Sequence, residues 1–133
     1  MPRKTFPFKA VKDGDLKRPY LPVKIINKDS GRIIRISALI DTGADECAMP
    51  VIFAKILGHD LEKGAARPVI TGGGVVTAWR HTAILSVEGF PDREAVIDFV
   101  PALQSPLIGV RSFLSDFILT VDYPGENFTL ECS

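Results

Sequence analysis

"ALIDTGADECAMP", residues 38–50, places an acid, a hydroxyl, a glycine and a second acid directly behind an apolar run. Leu39 and Ile40 read as the end of a strand, so the backbone of Asp41 is expected to be anchored in the core. A lone carboxylate in that position is costly: burying it unpaired costs several kcal/mol or drives it to take up a proton. Two carboxylates that share one proton remove the difficulty and make a catalyst. The ionised one activates a water while the protonated one donates to a carbonyl. The neighbouring residues suit such a pair. Thr42 carries a hydroxyl that can tie the loop down, Gly43 permits close approach, and Ala44 leaves room for a substrate.

Outward from this stretch, short apolar runs bounded by turn residues predict a mostly β fold. Tyr20–Ile26 alternates apolar and other residues, "NKDSG" follows as a turn, and residues 32–40 resume the strand pattern, giving a hairpin that ends on Asp41. "VIFAKIL", residues 51–57, fits a short helix or a buried strand equally well. Strands around residues 67–71 and 75–87 flank "TGGG", which sets Gly72, Gly73 and Gly74 at a hairpin tip. Residues 93–100 read as a strand, and the apolar spacing of "RSFLSDFIL", residues 111–119, predicts a short helix. A last hairpin, "TVDYPGENFTLEC", turns around residues 124–127. No repeat, linker or low-complexity tract interrupts the chain, so residues 1–133 are expected to form one domain with a core spanning about residues 20–132.

Composition narrows the function classes. At 133 residues and 46% hydrophobic, the chain can bury one core but is too short for two catalytic lobes. Lysine plus arginine equals aspartate plus glutamate at 16 each, so no net field favours nucleic acid or an anionic membrane. Cys47 and Cys132 are too few for a disulfide scaffold and lack zinc-ligand spacing. No apolar stretch reaches signal-peptide or membrane-spanning length. These features predict a soluble, cytoplasmic protein with no nucleic-acid or membrane partner.

Three landmarks occur in order: Asp-Thr-Gly-Ala behind an apolar pair, the glycine-rich "TGGGVV", and "PLIGVRSFL" with Leu107, Ile108 and Gly109. Together they make the chain resemble the retroviral-type aspartic proteases, or retropepsins, over most of its length. The resemblance implies a closed, mostly antiparallel β-barrel with one short C-terminal helix. It also implies peptide-bond hydrolysis by a homodimer, without metal, cofactor or covalent intermediate. By the same analogy Asp41 is the catalytic carboxylate, Thr42 makes a cross-subunit hydroxyl contact, Gly43 meets the substrate backbone, and Asp45 holds substrate main chain or an arginine. Gly72, Gly73 and Gly74 become the tip of a flap over an extended peptide. Ile70, Val75, Val76 and the "PALQSPLI" loop become the walls of its apolar pockets. The C-terminal residues 128–133 are expected to interleave at the subunit interface. One departure is visible: Val110 follows Gly109, so the arginine of the late motif arrives one position later, as Arg111.

The second carboxylate has to come from a second copy. "DSG", residues 29–31, has the form of an aspartic-protease triplet, but Asn27 and Lys28 precede it and it lies between two strands, where it reads as a turn. Symmetry then pairs Asp41 with Asp41 of another protomer. The remaining chemistry-bearing residues take structural readings: His59 and His81 as partly buried or surface histidines, Cys47 as a packed thiol, Trp79 as cross-strand packing, Asp98 and Asp122 as edge or outward-facing acids. An alternative of another class is a non-catalytic dimer of the same fold that binds extended peptides or organises a complex.

Overall fold

The computed structural model describes residues 2–132, so Ser133, the last residue of the expected interface tail, lies outside the described residues. Among the described residues ten strands form in chain order: β1 (Arg3–Pro7), β2 (Tyr20–Ile26), β3 (Ile33–Ile40), β4 (Cys47–Pro50), β5 (Ala65–Thr71), β6 (Gly74–Ser86), β7 (Arg93–Val100), β8 (Leu107–Ile108), β9 (Phe117–Asp122) and β10 (Asn127–Cys132). One α-helix, α1 (Val51–Ile56), follows β4. The larger sheet runs β2-β3-β8-β4-β7-β6-β5, and the long β6 also pairs with β2 through Lys24↔Ser86, Ile25↔Leu85 and Ile26↔Ile84. A smaller sheet runs β1-β10-β9.

The predicted hairpins form. β2 and β3 pair antiparallel from Tyr20↔Leu39 to Ile26↔Ile33, and the turn between them is held by the Asp29 N–H donating to Asn27 Oδ1 and the Gly31 N–H to the Asn27 carbonyl. β5 and β6 pair from Ala65↔Arg80 to Thr71↔Gly74, leaving Gly72 and Gly73 as the loop. Gly74 closes it with φ near +112°, a conformation that side chains on L-residues rarely adopt.

Several expectations are corrected. The short helix is not C-terminal: residues 51–57 supply it as α1, Ala54 and Leu57 burying one side. The predicted helix at residues 111–119 is instead a 3-10 turn, Leu114–Asp116, running into β9. There Phe117, Leu119 and Val121 are half-buried and alternate with exposed Ile118, Thr120 and Asp122, a period of two that the apolar count concealed. The sheet is mixed, because β3 pairs parallel with β8 and β4 parallel with β7. The C-terminal strand also departs from its expected role. β10 lies between β1 and β9 within one chain, and Phe128 and Leu130 are fully buried there, so both of its edges and its apolar face are occupied without a partner subunit. β1 was not foreseen; Phe6 stacks on Phe128 with ring centroids 5.2 Å apart.

One cluster joins the two sheets, with Phe6, Phe128 and Leu130 from the smaller, and Phe8 just beyond β1, meeting Leu21, Ile25, Met49, Ile97, Phe99 and Ile108 from the larger. Among the described residues, no helix is long and apolar enough to cross a membrane.

Candidate active site

Asp41 leaves β3 where that strand meets β8. Ile40 pairs with Ile108, the Leu39 N–H donates to the Pro106 carbonyl (2.9 Å), and the Asp41 N–H donates to the Ile108 carbonyl (3.0 Å). The backbone of Asp41 is therefore anchored at the base of the loop, as the apolar run predicted. Within the loop the Gly43 N–H donates to Asp41 Oδ1 (3.0 Å) and the Ala44 N–H to the Asp41 carbonyl (3.2 Å). The segment after β8 is laced to the same loop: the Val110 N–H reaches the Ala44 carbonyl (2.9 Å) and the Arg111 N–H the Asp45 carbonyl (2.8 Å). Gly109 sits where these backbones cross, and a Cβ there would collide with the carbonyl of Glu46. This close approach explains why the late motif needs a glycine.

A cleft of about 610 Å³ opens over this loop. Asp41, Gly43, Ala44 and Asp45 line one side, residues 67–71 of β5 cover another, and Val100, Leu103 and Leu107 supply apolar wall. Of the expected pocket residues, Ile70 reaches the cleft, whereas Val75, Val76 and Gly72–Gly74 do not line it in a single chain. Ile70 and Val75 are 86% and 69% exposed near the hairpin tip. Thr42 is exposed and is not among the residues that line the cleft.

The floor holds charges that the sequence reading passed over. Ala48, Asp98 and Arg80 are direct cross-strand neighbours on β4, β7 and β6, and Leu107 of β8 extends the row from Ala48. All four line the cleft, while Cys47, Met49, Ile97 and Phe99 on the opposite face are fully buried. Arg80 donates to Asp98 through both Nε (2.8 Å) and Nη2 (3.1 Å), and these bonds raise its already high pKa. Asp98 is thus a buried partner of Arg80 and not the outward-facing acid expected; Asp122 is exposed as expected. Glu46, nearly buried, meets Arg80 Nη2 at 3.4 Å and Arg111 Nη1 at 3.6 Å. The displaced Arg111 does not turn to the Asp45 carboxylate: its side chain meets Glu46, and only its backbone engages Asp45. A base inside "TAWRHTAIL" and an acid inside "AVIDFV", each in the middle of an apolar strand, were the available signal for this pair.

Cys47 is buried and its thiol is pushed up to about 11, chiefly by burial, which makes it a packing group and not a reactive one. Trp79 stands opposite Phe99, in keeping with a packing role. His59 and His81, distant in sequence, meet with ring centroids 4.6 Å apart beside Phe99. His81 Nε2 lies 2.8 Å from the Leu61 carbonyl, and burial together with the neighbouring His81 lowers the pKa of His59. Among the described residues, no group of three or more His, Cys, Asp or Glu side chains could hold a metal ion.

Residues 21–122 match the family model described as aspartyl protease. No curated protein matches significantly. Among solved structures, a retropepsin-like aspartic protease from Rickettsia conorii is similar in fold, with a TM-score of 0.65 at 21% identity over 96% of this chain and 98% of that one.

Proposed function

Because the chain belongs to the aspartyl protease family, with a retropepsin-like fold, we propose that it is an endopeptidase acting as a homodimer, with Asp41 of each copy forming the catalytic pair. The observation that carries this reading is Asp41 itself, held at a strand end by the Ile108 carbonyl and facing a cleft beneath the β5–β6 hairpin. One chain supplies one such carboxylate, and a twofold axis through the loop supplies the other. Residues 1–133 act as one domain in this reading, and the β2–β6 pairing supports regarding the larger sheet as closed.

The chemistry follows from a shared proton. The ionised carboxylate takes a proton from water as the water oxygen attacks the scissile carbonyl carbon. The protonated carboxylate gives its proton to the carbonyl oxygen. The tetrahedral adduct then collapses: the ionised carboxylate takes a proton back from one of its hydroxyls as the C=O re-forms, the C–N bond breaks, and the other carboxyl protonates the leaving nitrogen, which restores one shared proton to the pair. The Gly43 N–H orients Asp41 Oδ1, and Ala44 leaves space above it. Thr42, exposed in one chain, is free to make its hydroxyl contact across the axis. Asp45 and Gly43 hold substrate main chain, while the hairpin with Gly72, Gly73 and Gly74 at its tip closes over an extended peptide as a flap. Even charge and free cysteines support a cytoplasmic setting.

The test is incubation of the purified protein with a mixture of unfolded proteins, with and without a statine-type transition-state mimic. Cleavage that the mimic blocks is expected. Asp41→Asn keeps the size of the side chain but cannot share and release the proton, so turnover should vanish while sedimentation still reports a dimer. Full turnover in Asp41→Asn would overturn the assignment.

A further inference from the structure

We propose that His59 and His81 form an acid-sensitive latch at the root of the β5–β6 hairpin, which holds β5 over the cleft while both rings are neutral and releases it when His59 takes up a proton. The inference concerns the motion of the hairpin and stands whether or not the cleft cuts peptides.

The pair lies behind the cleft floor. Arg80 and His81 are neighbours on β6, so Arg80 faces the cleft while His81 turns to the other side, against Phe99. His59 belongs to the link between α1 and β5, and its ring packs on both His81 and Phe99. The link continues as a 3-10 turn, Leu61–Lys63, and the Leu61 carbonyl lies 2.8 Å from His81 Nε2. Gly64 follows, so close to β6 that a Cβ would strike the Arg80 carbonyl and the His81 ring. The pair Ala65↔Arg80 then opens the β5–β6 ladder. Three successive contacts, from His59, Leu61 and Gly64, thus fix the start of the strand whose residues 67–71 cover the cleft.

This arrangement suits neutral rings. His81 donates from Nε2 to the Leu61 carbonyl, as a neutral imidazole can. His59 Nε2 is buried and has no hydrogen-bond partner among the described residues. An imidazolium donates from both nitrogens, so protonation of His59 would leave a charged N–H buried without an acceptor. The second ring, with centroids 4.6 Å apart, adds repulsion to any charge it carries itself. Neighbouring charges do not offset this. Asp29 of the β2–β3 turn, Lys55 of α1, and Asp60 and Lys63 of the link line the cavities on either side of His59, whereas Arg32 and Glu62 do not. Lys63 stands 3.8 Å from Asp60, Lys28 is held by Glu94, and β7 offers the apolar Phe99. Asp29 draws His59 towards protonation, but burial and then His81 outweigh it and lower its pKa. The released state therefore binds the proton more readily than the latched one. Latching is fully present above about pH 6.5 and is lost as the pH falls through the lowered value.

Hydrogen exchange of the full chain, expressed as protection relative to the intrinsic rate at each pH, tests the latch without requiring turnover. Between pH 7 and pH 5 the amides of residues 61–71 should lose protection, roughly tenfold for each unit by which His59 titrates below its ordinary value. The β2–β3 ladder should keep its protection. His59→Phe preserves a ring against His81 and Phe99 but takes up no proton, so residues 61–71 should then be equally protected at both pH values. No loss in the wild type, a loss spread equally over β2 and β3, or the same loss in His59→Phe overturns the latch. Should His59→Phe fail to fold, the wild type still decides by NMR. The His59 ring resonances and the exchange of residues 61–71 should change with one midpoint, and separate midpoints overturn the proposal.

Discussion

Arg80→Met removes the cation between two nearly buried carboxylates and keeps most of the aliphatic length. In the native protein Asp98 and Glu46 are 13% and 10% exposed at the side chain, and Arg80 is 20% exposed. Breaking a buried pair from one side leaves an uncompensated charge and costs about 3–5 kcal/mol. The lower end applies here, about 3 kcal/mol, because Arg80 reaches the cleft and Arg111 stays beside Glu46. For a chain of this size that corresponds to a fall of about 10 °C in Tm. Thermal unfolding followed by circular dichroism at neutral pH reads it, with protein concentration held fixed because the proposed dimerisation would add to apparent stability. Adding Asp98→Leu to Arg80→Met should recover most of the loss, since an apolar replacement of a whole buried pair is often neutral or better. A loss below about 1 kcal/mol in Arg80→Met would class the contact with surface pairs. A double variant no better than the single one would equally refute the reasoning.

The His59–His81 contact predicts a pH effect on stability. Because the folded state holds the pKa of His59 below its ordinary value, the unfolded chain binds protons first. The stabilisation is therefore present above about pH 6.5 and is lost as the pH falls through the lowered folded value; in His59→Phe, urea-unfolding midpoints should decline less between pH 7 and pH 5. Deletion of residues 128–133 removes the central strand of the smaller sheet and should abolish the folded circular dichroism spectrum; a folded monomer that regains activity at high concentration would restore the interface role for the tail. Ala44→Ser places a hydroxyl donor next to the ionised carboxylate of the proposed Asp41 pair and should move the acidic limb of the pH–rate profile to lower pH, which a full kcat/KM profile checks.

What could be read in advance divides along sequence distance. The β2–β3 and β5–β6 hairpins and the position of Asp41 are encoded within short windows, by alternation, turn residues and an apolar run ending in Asp-Thr-Gly. β1 escaped notice because Pro7 breaks the strand signal and its partner β10 lies at the other end of the chain. Residues 51–57 stayed open between helix and strand because a short apolar run carries both periods. Glu46 was overlooked beside the more familiar Asp45. Its role depends on Arg80 and Arg111, which only the meeting of β6, the loop after β8 and the Asp41 loop brings to it. Asp98 looked like an outward acid for the same reason, since Arg80 stands opposite it only once β6 and β7 pair in register.

The row Leu107, Ala48, Asp98 and Arg80 shares its strands with the core residues on the reverse face, and this restricts how the cleft can be remodelled. Side chains alternate faces at every residue, so a single-residue deletion within β7 would send Asp98 inward and turn Ile97 and Phe99 out into the cleft. Such a change exchanges the whole floor with the hydrophobic interior. Variation in this floor is therefore confined to point replacement at the row positions. Changes in chain length are tolerable only in the connecting loops, such as residues 101–105, where no strand register has to be kept.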